Sequence, residues 1–465
     1  MKILRTSRRH YYVAIVSIIL IMLVTVALIA GMVGCGGRPA VDAIEIRDWY
    51  DLYAIGNNLS ADYILMNHLD ATTAGYAELA SPTANEGKGW QPIGTGEFPA
   101  FQGLLDGQGY EIRNLFINRP GEDKVGLFNQ VHWPAVVRNL GIVDATVTGS
   151  DFVGILGGGN WNIVVNCYFS GDVTGNEDVG GVVGSNRNAL INSHSSGSVI
   201  GNAESLHVGG LAGFNTGTVT SCHSSVTVNG DKQVGGLVGT NLATIDKSYS
   251  TGAVYGNDYV GGLVAANLQV DETNIVSNSY STGAVYGNYG VGGLVGSNNG
   301  TVSDSYASGN VSGSAESLHV GGLAGYNDGT ISNSHSTGRV YGVHQVGGLV
   351  GTHKGAINNS YSTGNVTGGV WVGGLVGIRI YEFDPIIVSN SFWDKDTSGQ
   401  ATSDGGTGKN TTEMQDIATF TDTETEGLDE PWDMTAVDPG ETDDGYIWNI
   451  VDGVTYPFLS WQSVS

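Results

Sequence analysis

Asp178 and His207 are the residues of this 465-residue chain whose types and spacing come nearest to chemistry. Each stands directly before a valine that opens a Val-Gly-Gly motif, at Val179 and Val208, and Glu177 precedes Asp178. If the motifs stack in register, a carboxylate and an imidazole meet from adjacent coils. Such a pair can contact a ligand, or serve a carbohydrate-cleaving site in which acids and bases converge on one face. A polar turn pair is the simpler reading, because the equivalent motif before Val320 has His319 but Gly290 in place of Asp178. Only twelve acids and five Lys or Arg lie between Val153 and Gly377, which is thin material for a catalytic face. Asp178 and His207 are therefore expected as ligand contacts, and no catalytic, cofactor or metal-ligating set is expected.

Other motifs carry less. Gly405-Gly406-Thr407-Gly408-Lys409 resembles a phosphate loop, but Ser403 stands where the leading glycine belongs and Asn410 replaces the hydroxyl. Cys35, Cys167 and Cys222 make neither a disulfide framework nor a zinc set. From Thr411 to Tyr446 there are twelve Asp or Glu and no Lys or Arg, which predicts a solvated acidic region, with calcium as the sharper alternative. The formal net charge of −26 excludes nucleic acid as a partner, since phosphate binding needs a basic stripe.

The first residues read as an address. Lys2, Arg5, Arg8 and Arg9 precede an apolar run from Val13 to Val33, the pattern of an export signal and long enough for a membrane-spanning helix. The run ends in Met32-Val33-Gly34-Cys35, which resembles a bacterial lipobox with Met32 where Leu is usual. Cys35 is then the lipidation candidate. Either anchor puts the basic end inside and the rest outside.

The elements that would position these residues follow from a repeat. Val-Gly-Gly-Leu-Val-Gly and its variants start at Val153, Val179, Val208, Val234, Val260, Val291, Val320, Val346 and Val372. The steps are 26, 29, 26, 26, 31, 29, 26 and 26 residues, a base period of 26 with insertions of three or five. Seven residues after the valine comes Asn160, Asn186, Asn215, Asn241, Asn267, Asn298 or Asn327. Ser or Cys followed by Tyr or His recurs further on, from Cys167-Tyr168 to Ser360-Tyr361. In the long coil the insertion falls around Val270-Asp271-Glu272. With 73 Gly and only 14% charged residues, the chain has little to spend on helix faces.

Each period is predicted to hold three short strands: Val-Gly-Gly-Leu-Val, the segment ending at Ser-Tyr-Ser, and Ala-Val-Tyr. Turns are expected at Asn-x-Gly, at Thr-Gly and at the following Gly. One such coil encloses no core, so coils must stack. The expected fold is all-β, a parallel right-handed β-helix whose Asn column forms an amide ladder and whose Tyr/His column packs or stacks on itself. Cys167 and Cys222 share a column two coils apart, roughly 9–10 Å, too far for a disulfide, and are expected as free buried thiols in the place of Ser. Ala203–Val208 recurs as Ala315–Val320 four coils later, a larger duplication.

The boundaries follow: 1–35 signal or anchor, 36–43 linker, 44–124 N-terminal cap with a short helix over Trp49–Ile55, 125–390 repeats, and 391–465 an acidic C-terminal cap. The Val-Gly-Gly-Leu-Val-Gly coils with Ser-Tyr-Ser-Thr-Gly resemble the GLUG-motif repeats of bacterial surface proteins, and Phe101–Leu115 and Ser391–Gly408 resemble that family's flanks. The resemblance implies an adhesin-like protein; members that cleave immunoglobulin A carry a His-Glu-x-x-His zinc motif, which this sequence lacks. The expectation is a membrane-anchored, cell-surface scaffold that binds a glycan or a host or matrix protein without catalysis. The alternatives are a β-helix polysaccharide lyase or hydrolase, and a purely structural stalk.

Overall fold

The structure is a computed structural model that describes residues 42–94, 100–269, 274–380 and 387–462. The chain divides into two compact units, Met1–Ile44 and Glu45–Ser465. The first lies almost wholly outside the described residues, as do the proposed signal, most of the linker, Cys35 and the insertion at Val270-Asp271-Glu272. Among the described residues no helix is long and apolar enough to cross a membrane.

The second unit is a parallel β-solenoid. Strands such as Thr218–Thr220 and Thr244–Asp246 build a first face of 13 strands, and strands such as Val238–Asn241 and Val264–Asn267 build a second of 10. The third face holds up to three short strands per coil, as at Tyr249–Ser250, Val254–Tyr255 and Asp258–Gly261. Pairing runs from one coil to the next with like residues opposed: Val208 with Val234, Val234 with Val260, and Asn215 with Asn241. The register slips between Gly175–Gly201 and Glu177–Leu206, which confines that three-residue insertion to one bulge.

The corners differ from the expected ones. Val-Gly-Gly-Leu-Val is not one strand: Val234-Gly235 ends a third-face strand, Gly236-Leu237 turns the corner, and Val238 starts the second face. The close approach there explains the glycine, since a Cβ on Gly236 would strike the carbonyl of Gly262 in the next coil. Another corner lies at the residue before the Ser/Cys column, where Asn166, Asn192, Asn278, Asn333 and Asn359 adopt positive φ. Asn is among the residues that visit this left-handed region most readily.

Inside, the valine, leucine and second-valine columns are fully buried, for example Val234, Leu237 and Val238. Each such side chain contributes about 1.5–3 kcal/mol by leaving water, an upper estimate. The Asn column is also fully buried and forms a ladder. Each amide donates to the next carbonyl oxygen, from Asn160 to Asn186 at 2.8 Å through Asn298 to Asn327 at 2.7 Å. Cys167 and Cys222 are free and buried, with Sγ turned to the backbone carbonyls of Val165 and Thr220 as Ser193 Oγ is to Ile191. Burial pushes both thiols up to about 12.

At the N-terminal end of this unit a helix over Trp49–Ala54, capped by Asp48, buries Trp49 and Leu52. The acidic C-terminal region corrects the expectation of a merely solvated segment. It builds a second apolar core from Met414, Phe420, Trp432, Trp448 and Leu459, packed on Tyr361 and Phe392 of the last coils.

Candidate functional site

The residue before each repeat valine is the element that positions the candidate chemistry. Phe152, Asp178, His207, Gln233, Tyr259, Gly290, His319, Gln345 and Trp371 occupy this column, and all have positive φ, between 51° and 62°. For side chains other than Gly, Asn and Asp that conformation costs about 1–2 kcal/mol. The frame nonetheless holds it in every coil while the side chain changes. Invariant columns point inward, while this variable one lies outside the apolar core, buried at Asp178 and His319, half-buried in most other coils and exposed at Trp371, so chemistry can change here without disturbing the core.

In the first four-coil block His207 reaches back one coil. Its Nδ1 lies 2.7 Å from Asp178 Oδ1, so the imidazole donates and its Nε2 is left as an acceptor when neutral. Asp178 is buried, His207 is half-buried against Phe214, and Glu177 is exposed. One ligand atom from each of Glu177, Asp178 and His207 lies within 4.8 Å of the others, the one such group among the described residues. They could supply three ligands to a divalent cation, or orient an imidazole for proton transfer. The sequence places Glu177 beside Asp178 and next to His207, and the structure brings the three together.

The second block repeats the frame with other groups. Gly290 removes the carboxylate, and His319 instead reaches forward to Thr352 Oγ1 at 2.7 Å, which donates to Gln345 Oε1 at 3.2 Å. Burial without a charged partner holds His319 down to about 4. Beside it stand Tyr289 and Tyr326, where the first block has Glu177 and Phe214.

The Tyr/His column lies on the third face and stacks on itself. From Tyr168 through His194, His223, Tyr249, Tyr280, Tyr306 and His335 to Tyr361, ring centroids are 4.5 to 5.8 Å apart and no pair is tilted beyond 13°. The flanking serines are buried, as at Ser248 and Ser250, so the rings take the outer side of the strand. The C-terminal cap covers the far end of this ladder: Trp448 packs on His335 and Tyr361, and Trp461 on Tyr280 and Tyr306. Burial holds His335 down to about 3. At the near end Tyr168 donates to Glu111 at 2.5 Å, and burial first, then that carboxylate, push its hydroxyl up to about 12.

In the acidic C-terminal region, Asp438, Glu441, Asp443, Asp444 and Asp452 line an open cleft of about 680 Å³, the place at which calcium binding by this region is testable.

Comparison with known proteins places these features. Three segments, residues 204–229, 287–312 and 316–341, match the model of the GLUG motif. The chain is 40% identical over 119 residues to halomucin of Haloquadratum walsbyi, a stretch covering 24% of this chain and 1% of halomucin. It is 39% identical over 83 residues to a protein of Evansella cellulosilytica described as a Gly-rich membrane protein, covering 17% of this chain and 10% of that one. Both relatives thus extend far beyond the matched part. A solved structure from Bacteroides ovatus, described as an immunoglobulin A1 protease, aligns over 90% of this chain and 93% of its own at 16% identity with a TM-score of 0.36.

Proposed function

We propose that this chain, a protein of GLUG-motif repeats, is an exported, membrane-anchored surface scaffold that displays binding groups and does not turn its ligands over. The observation that carries this reading is the division of labour within each coil. Buried valine, leucine and Asn columns repeat almost unchanged, while the left-handed column before the valine varies from Asp to Tyr to Trp. A frame that tolerates change at one aligned position outside the core in every coil suits display. The named relatives, a halomucin and a membrane protein, support a surface location, as does the basic, apolar start of the sequence ending at Cys35.

The test is to present the purified chain to glycan arrays and to cells and matrix proteins, and to assay bound glycans for cleavage. Binding without cleavage is expected. Cleavage would establish the carbohydrate-active alternative, and absence of any binding would favour a stalk. Radiolabelled palmitate should enter the wild type and not Cys35→Ala; equal labelling would remove the lipid anchor.

One observation favours the enzymatic reading enough to state it. The Asp178–His207 pair with Glu177 is a carboxylate-oriented imidazole at the solenoid surface. If it cleaves glycans, Asp178→Asn with His207→Gln abolishes the activity.

A further inference from the structure

A cleft of about 420 Å³ opens where the first block meets the second, lined by Gln233, Tyr259, Tyr289, Ser297, Asn299 and Tyr326, with Ala266, Leu268 and Asp328 completing it. Its origin can be read from two stacked columns. In the column before the valine, Gly290 interrupts a run of larger side chains between Tyr259 and His319. In the second-face column one step before the Asn ladder, small Ala266 and Ser297 lie between Thr240 and Tyr326. The cleft is therefore a place where stacked coils lack side chains, and it extends across neighbouring coils along the axis of the stack.

Its walls are amphipathic rings. Tyr259 and Tyr289 meet edge to face at 5.3 Å, and Tyr289 meets His319 edge-on at 4.7 Å. His319 in turn packs on Tyr326 at 5.8 Å. Half-buried tyrosines offer apolar ring faces together with hydroxyls. Around them lie amide and hydroxyl groups from Gln233, Ser297 and Asn299, which donate and accept without charge. Among the described residues Asp328 is the one acidic side chain of the lining, and no Lys or Arg is part of it. Tyr259 in the lining, and His319 behind Tyr289 and Tyr326, are held at φ of 54° and 56°, a conformation unfavourable for both residue types.

We propose that this cleft binds a chain of neutral sugars laid along the solenoid axis. The proposal rests on the display reading and names its place and ligand. A pyranose ring has C–H faces that pack on tyrosine and a rim of hydroxyls that exchange hydrogen bonds with amides and a carboxylate. A linear chain of such units matches a cleft whose polar groups are spread across several coils. A uronate or sulfated glycan is disfavoured, because its charge would lie beside Asp328 with no cation in the lining to compensate, in a chain of net charge −26.

The experiment measures binding of the full chain to neutral hexasaccharides of glucose, mannose and N-acetylglucosamine, with a hexagalacturonate as the acidic counterpart, by calorimetry. At least one neutral hexasaccharide should bind and the uronate should not. Tyr259→Ala and Tyr326→Ala should each weaken that binding roughly ten-fold or more. Ser297→Trp should block it by filling the floor, and Tyr341→Ala, at an exposed tyrosine outside the lining, should leave it unchanged. Unchanged circular dichroism of the variants shows that they fold. Should no neutral hexasaccharide bind, or should the cleft variants bind like wild type, the proposal is overturned. If the wild type still adheres to cells in that case, display stands and only the cleft assignment fails; if it adheres to nothing, display fails as well.

Discussion

The two four-coil blocks share a frame and differ at their surface. Their inward columns are nearly interchangeable: Cys167 matches Ser279, Cys222 matches Ser334, and Asn186 and Asn298 belong to one continuous ladder. At the position before the valine, however, Asp178 faces His207 in the first block, while Gly290 stands in the second and opens a tyrosine-lined cleft. With Gly290 for Asp178, Tyr289 for Glu177 and Tyr326 for Phe214, the histidine turns from a carboxylate one coil behind it to a hydroxyl one coil ahead of it. The lesson is physical: stacking fixes everything that lies between coils, and leaves free what lies outside them.

The largest way to break the comparison is to attack what the blocks share. Asn241 accepts from Asn215 and donates to Asn267, both fully buried, and to the half-buried Ala243 carbonyl. Asn241→Ala should destabilise the surrounding coils by about 2–4 kcal/mol, because buried partners lose their bonds. Urea unfolding followed by circular dichroism reads the loss. An unchanged midpoint would mean the ladder is decoration.

Acid should act on the second block through His319. Its folded pKa of about 4 lies below the ordinary value near 6.5, so the unfolded chain takes up the proton first. The stability tied to its neutral form is complete above about pH 6.5 and is lost as the pH falls toward 4. His319→Gln should therefore flatten part of the drop in melting temperature over that interval. Buried His335 and His353, held down to about 3 and about 4, act in the same direction.

A smaller change sharpens the contrast by importing one block's residue into the other. Gly290→Asp places a carboxylate one coil behind His319, where a Cβ comes within 2.9 Å of the Tyr259 ring and displaces it slightly. The pKa of His319 should rise from its lowered value, read by NMR titration of the imidazole. The smallest effect belongs to the thiols. Cys167→Ser and Cys222→Ser make the first block match the second and should cost no more than about 1 kcal/mol, because the serine hydroxyl takes the carbonyl bond that Ser193 makes. In the native wild type both thiols should resist labelling, and under denaturant both should react.

Much of this was legible in the sequence, because a 26-residue period with aligned valines has few physical solutions. The fold class, the stacking direction and the adjacency of Asp178 and His207 follow from that register alone. The corner at Gly236-Leu237 was not legible: a run of Val-Gly-Gly-Leu-Val has strand composition throughout, and only the approach of Gly262 shows where the chain must turn. The outward side of the Tyr/His column was hidden for a similar reason. Its polar neighbours Asn192 and Asn333 sit at a left-handed corner, which breaks the strand alternation that would have told inside from outside. The tyrosine cleft was hidden because it depends on what is missing, the side chains of Gly290 and the small Ala266 and Ser297, across columns a linear reading does not bring together. The C-terminal core was masked by its acids, whose count conceals the Met414, Phe420, Trp432 and Trp448 between them.

The central claim is that equivalent residues lie one coil apart, so that a variable surface column rides on a fixed core. Tyr255 and Tyr286 are paired in register on adjacent coils, their rings stacked at 4.8 Å, while Tyr341 is two further coils along. Paired strands lie about 4.8 Å apart, within disulfide reach, and three coils span about 14 Å, beyond it. The doubly substituted Tyr255→Cys/Tyr286→Cys chain should therefore form an internal disulfide under mild oxidation, seen by mass spectrometry of the linked peptides, and Tyr255→Cys/Tyr341→Cys should not. A bridge in the second chain, or none in the first, would contradict the stacked register on which the whole account stands.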